Sequence, residues 1–241
     1  MTQTGFTERW LETPLGMRVH ELEVDLIGEA LGDVFGFELL QIGDWGPPSR
    51  LFESARTQHR WWICPDAHGP GAIRAAYEHL PIATASVEAV LLPHTLEYAP
   101  HPHELLREVE RVLVGEGHLL ICGFNPRGPW GLRHLLSRGH FPPPAARLMS
   151  EGRIRDWLHL LGLEPITSQR YLFASSLAKR LPGRAGAWLE RRGPQLAPPL
   201  AGAYLIKARK RVVALTPVRR ARARRPVVVV GAPEPTTRNA A

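Results

Sequence analysis

Short, continuously apolar runs, each set off from the next by a stretch of helical periodicity, constrain this chain most. Residues 37–42 read FELLQI, residues 61–64 WWIC, residues 87–92 VEAVLL and residues 118–124 HLLICGF. A strand covered on both faces reads as such a run, whereas a strand with one wet face alternates apolar with polar. Around these runs, Leu22, Leu26, Ile27, Leu31, Val34 and Phe35 recur at three- and four-residue spacing, the stripe of an amphipathic helix. Leu105, Leu106, Val109, Val112 and Leu113 repeat the pattern, and so do Ile154, Trp157, Leu158 and Leu161. Apolar strands alternating with helices predict an α/β fold, a doubly wound and mostly parallel sheet with helices on both faces.

Several elements are less clearly marked. Pro47 and Pro48 suit the first turn of a helix over residues 49–57. Residues 75–79 read as a weak third strand, and His103 with Glu104 as the start of the helix that Gly115 and Gly117 close. Residues 171–173 and 203–206 offer two more strands. No internal repeat is visible.

Charge separates the chain into two parts. The net charge is +7, but residues 1–190 hold 18 Lys and Arg against 22 Asp and Glu, while residues 191–241 hold 12 against 1. The body is mildly acidic and the basic pI belongs to the tail, which argues against a basic nucleic-acid-binding fold. Cys64 and Cys122 are far apart and have no CxxC partner, so a reducing, cytoplasmic setting is expected, with no metal. No window reaches the roughly 18 apolar residues of a membrane helix.

Residues 80–124, LPIATASVEAVLLPHTLEYAPHPHELLREVERVLVGEGHLLICGF, resemble the class I S-adenosylmethionine-dependent methyltransferases of the type 11 group. The matching positions are Leu80, Pro81, His94, Glu97, Arg107, Glu108, Arg111, Leu113 and Gly117. Residues 13–16 (TPLG) and 123–133 (GFNPRGPWGLR) look like an uncharacterised bacterial branch of that family. The resemblance covers roughly residues 10–173 and implies a Rossmann-like methyltransferase sheet, S-adenosyl-L-methionine as cofactor and a small-molecule substrate.

A cofactor at the carboxyl ends of parallel strands needs a glycine turn after the first strand, because only bare backbone lets the ligand approach closely. Gly43 meets that need, and Asp44, Gly46, Pro93 and His94 complete the expected cofactor contacts. Asp66 is placed to accept hydrogen bonds from ribose hydroxyls; an ordinary turn aspartate beside Pro65 is the alternative. The glycine loop departs from the family pattern: Gln41 stands where an acid is usual, Trp45 and Pro47 stand on the second and third glycines, and Gly46 is out of register. The carboxylate expected to contact adenine falls on Ala76, with Glu78 as a displaced substitute.

His94, with a reference pKa near ~6.5, is the candidate catalytic base, against a structural hydrogen-bonding role. Glu108 and Arg111 read as an i,i+3 ion pair. His101 and His103 lack a third ligand for a metal. The division expected is a helical segment over 1–36, a methyltransferase-like domain over 37–211 with a lid over 125–147, and a basic arm over 212–241. Arg127, Arg133, Arg138 and Arg147 could meet an anionic substrate. Two readings stay open: a methyltransferase acting on a small molecule, or a non-catalytic relative whose arm contacts RNA or another polyanion.

Overall fold

The computed structural model describes residues 3–46, 48–66, 72–136, 147–173, 193, 200–212 and 231. Helices α1 (Gln3–Leu11) and α2 (Pro14–Leu31) precede strand β1 (Phe35–Ile42). Then come α3 (Pro48–Leu51), β2 (Arg56–Ile63), β3 (Ala72–Ile73), β4 (Val87–Pro93), α4 (Thr95–Tyr98) and α5 (Pro102–Val112). The series closes with β5 (Leu113–Phe124), α6 (Pro129–Leu136), α7 (Glu151–Leu160), β6 (Leu163–Tyr171) and β7 (Ala203–Lys210).

The seven strands form one sheet in the order β3-β2-β1-β4-β5-β7-β6. The first five run parallel; β7 pairs antiparallel with both β5 and β6. This is the doubly wound, mostly parallel sheet that the apolar runs predict. Consecutive strand residues point to opposite faces. Leu39 and Leu40, Leu91 and Leu92, Leu119 and Leu120, and Leu205 and Ile206 therefore feed two separate cores. One core is closed by Leu105, Leu106 and Val109 of α5 with Ile154 and Leu158 of α7; the other by Val19, Ile27 and Leu31 of α2 with Trp130 of α6.

Helix α2 starts where the sequence allows. The Thr13 hydroxyl accepts the Gly16 N–H at 3.1 Å, and Pro14 occupies the first turn, where its missing N–H costs nothing. Its buried residues include Gly16, Val19, Glu23, Ile27 and Leu31, a stripe one position away from the Leu22 and Leu26 expected. Val34 is buried beyond the helix end, and Phe35 opens β1 with its ring exposed under the Arg56 guanidinium.

Four elements differ from expectation. The helix expected over 49–57 is a single turn, because β2 must begin at Arg56 to pair with Phe35. The third strand lies at Ala72–Ile73, not at 75–79. Helix α5 starts one residue earlier than His103, at Pro102, and β5 follows it without a break, so the strand absorbs Gly115 and Gly117. Strand β6 begins eight residues before Tyr171; it is an edge strand with mostly polar, part-exposed residues, so it carries no apolar run.

The segment expected as a lid contains α6, whose Trp130 is buried and stacked on Phe124 at 5.3 Å. Residues 137–146 of that segment lie outside the described residues, as does the expected arm apart from Val212 and Gly231. No described helix is long and apolar enough to cross a membrane.

Candidate functional site

At the carboxyl edge of β1, β2 and β4 the chain encloses a cleft of about 290 Å³. Gly43, Asp44, Asp66 and Pro93 line it, four of the six positions expected to contact a cofactor. Ala76 and Glu78 line it as well, so the carboxylate missing at Ala76 is present two residues away on the same wall. Asp44, Asp66 and Glu78 are three acidic residues on its lining, and among the described residues none that line it is basic. Such a cleft favours a cation and disfavours phosphate.

The turn after β1 is held from three sides. The Gly43 N–H donates to the Ile63 carbonyl at 2.8 Å; its own carbonyl accepts the Trp62 indole N–H at 2.8 Å and the Gln41 amide at 3.4 Å. Gln41, the residue standing in the acidic position, is thus a fully buried tether for the turn. Gly43 adopts φ +102°, and a Cβ there would lie 2.5 Å from the Thr95 hydroxyl, which itself donates to the Ile42 carbonyl at 2.5 Å. Only glycine fits beneath Thr95.

His94 and Gly46 are placed differently from the rest. Gly46 lines a neighbouring cavity of about 500 Å³ beside His20 and Arg50, which shares Asp44 with the lining of the first cleft. His94 is fully buried and does not line the cleft, although Pro93 and Thr95 on either side of it do. Its backbone is left-handed, φ +55°, and its imidazole lies in the interior.

There it meets two buried carboxylates. Nε2 lies 2.8 Å from Glu23 Oε1 and Nδ1 3.0 Å from Glu97 Oε2. Burial alone would lower the His94 pKa, but the Glu23 and Glu97 carboxylates outweigh it and push it up to about 9. Burial raises the Glu97 pKa, against the opposing pull of His94. The remaining oxygens are also satisfied: Glu23 accepts from Trp45 Nε1 at 2.5 Å and from the Tyr171 hydroxyl at 2.8 Å, and Glu97 accepts the Phe124 N–H at 2.6 Å. Sequence reasoning missed Glu23 and Tyr171. Glu23 lies 71 residues from His94 and 148 from Tyr171, which leaves no local signal.

The family-like residues of α5 have a legible role. Glu108 and Arg111 form the expected ion pair at 2.8 Å. Arg111 also donates to the carbonyls of Leu80 and Ile82, and Glu108 accepts the Leu80 N–H, so the pair clamps the Leu-Pro segment ahead of β4. His103 packs its ring on Trp157, and no described group of His, Cys, Asp and Glu could hold a metal ion. Of the arginines expected to meet an anion, Arg127 lines a separate basic cleft with Arg155 and Arg170. Arg138 lies outside the described residues.

Comparison with known proteins agrees with this geometry. Residues 54–121 match the family model described as a methyltransferase domain. The chain is 34% identical over 212 residues to Uncharacterized protein YafS of Escherichia coli (strain K12), covering 86% of this chain and 82% of that one. Among solved structures, an S-adenosylmethionine-dependent methyltransferase from Thermotoga maritima superimposes with a TM-score of 0.65 at 16% identity, covering 87% of this chain and all of that one. The [4+2]-cyclase SpnF superimposes with a TM-score of 0.57 at 18% identity, covering 81% and 82%. The cleft, the clamped Leu-Pro segment and these likenesses together mean that the chain belongs to the class I, type 11-like family of S-adenosylmethionine-dependent methyltransferases.

Proposed function

We propose that the cleft at Gly43, Asp66 and Pro93 binds S-adenosylmethionine and that the chain transfers the methyl group to a small molecule. The observation that carries this reading is the cleft's charge: three acidic and no basic residues among its described lining, around a turn where only glycine fits. A sulfonium and an ammonium are cations, whereas a dinucleotide would bring phosphates into an acidic site. When bound, the cofactor supplies a methyl carbon already activated by the adjacent positive sulfur.

The chain's own residues then bind and orient. Gly43 leaves the approach to the turn open, Asp66 accepts from hydroxyl groups, and Glu78 stands in for the absent acid at position 76. Positioning and exclusion of water supply most of the rate in such a transfer, so the burial of His94 is no obstacle. The cyclase likeness marks the limit of a fold argument, because one fold hosts different reactions.

Calorimetric titration of S-adenosylmethionine into wild type and Asp66→Ala tests the reading. Hydrogen bonds to a charged group contribute about 1.5–3 kcal/mol, so Asp66→Ala should weaken binding by about 10- to 150-fold. No heat of binding in the wild type would overturn the reading.

A further inference from the structure

We infer that Glu23, which lies outside the cleft, is a positioning residue that sets the spacing of the cleft's two walls. The inference rests on the cleft being the cofactor site.

One wall is the turn carrying Trp45, the residue that stands where the family's second glycine is usual. A bulky indole in that place must be held out of the ligand's path. Trp45 is 1% exposed, packed on His94 with ring centroids 4.2 Å apart, and anchored through Nε1 to Glu23 Oε2. The adjoining wall is Pro93 and Thr95 at the end of β4. The residue between them, His94, is anchored to the other oxygen of the same carboxylate. One carboxylate of α2 therefore anchors both walls, alongside the direct hydrogen bond from the Thr95 hydroxyl to the Ile42 carbonyl. The substituted glycine loop thus keeps its shape through an anchor that the intact glycine pattern would not need.

Glu23→Gln is the discriminating change. An amide retains one acceptor oxygen, so it presents an N–H to Trp45 or to the His94 and Tyr171 donors and loses one of the two anchors. Tyr171→Phe is the matched control: it removes a buried hydrogen bond to Glu23 Oε1 at a residue that does not line the cleft and leaves the Glu23 bonds to Trp45 and His94 in place. Trp45→Phe removes the indole donor while keeping a ring in place.

The dissociation constant for S-adenosylmethionine is measured by calorimetry on full-length protein at least about 20 °C below each variant's melting midpoint. Glu23→Gln and Trp45→Phe should each raise it about 10-fold or more, and the double variant should raise it no further than the worse single one. Tyr171→Phe should lower the melting midpoint and leave the dissociation constant within about twofold of wild type. If Glu23→Gln does not fold, Trp45→Phe against Tyr171→Phe carries the comparison. Equal binding by wild type and the wall-anchor variants, or equal weakening by Tyr171→Phe, would overturn the inference while leaving the cofactor site intact. Absence of binding by the wild type would overturn both.

Discussion

Raising the pH from 6.5 to 8.5 should destabilise the protein through His94. The folded pKa of about 9 lies above the usual histidine value of ~6.5. The native state therefore holds a proton that the unfolded chain releases. Stability from this group is fully present below 6.5 and is lost as pH rises through 9. A separation of about 2.5 pK units corresponds to roughly 3 kcal/mol in total, of which about 2 kcal/mol is lost between pH 6.5 and 8.5. His94 is fully buried, so the figure needs no discount for solvent screening.

His20 and His118, whose pKa values burial lowers, act in the opposite sense, mostly below 6.5, and each returns at most about 0.4 kcal/mol within the window. Burial raises Cys64 and Cys122, whose unfolded thiols begin to ionise only at the upper end of the window. For a chain of this size about 1 kcal/mol moves the melting midpoint by roughly 2–4 °C, so a fall of about 4–8 °C is expected. Differential scanning calorimetry at half-unit pH steps reads it, and NMR titration of the His94 ring locates the proton. A flat midpoint across the window, or an imidazole that titrates at or below 6.5, would show that the Glu23–His94–Glu97 arrangement does not hold an imidazolium.

Gly43→Val should both abolish S-adenosylmethionine binding and lower the melting midpoint. A side chain at φ +102° is strained by about 1–3 kcal/mol, and its Cβ meets the Thr95 hydroxyl at 2.5 Å; wild-type affinity in this variant would remove the turn from the site. Deleting residues 213–241 should leave the melting midpoint and cofactor affinity unchanged, because the seven strands among the described residues end by Lys210. The deletion should also remove salt-dependent retention on heparin, since residues 213–241 carry six arginines against one glutamate. Equal retention by the truncated chain would assign polyanion affinity to the folded body.

The sequence was most readable where burial is two-sided. Residues 87–92 and 118–124 are apolar throughout because both faces of β4 and β5 are covered, and both lie in strands. Strands β2 and β6 expose much of their length, so their outer residues carry no run and their starts were set too late. The acidic cleft was legible in part: Gly43, Asp44, Asp66 and Pro93 could be placed because each follows directly on an apolar run at one sheet edge. The interior placement of His94 goes with one left-handed backbone angle, and its partner Glu23 sits on a helix face that reads as an apolar stripe interrupted by a charge. Long-range pairing of that kind has no periodicity to betray it.

A co-crystal structure with S-adenosylhomocysteine tests the central claim most directly. The account predicts the ligand in the cleft between Gly43 and Pro93, with the Asp66 carboxylate on its ribose hydroxyls and Trp45 still hydrogen-bonded to Glu23. Ligand seated elsewhere, or a cleft that stays empty at saturating concentration while the fold is intact, would contradict it.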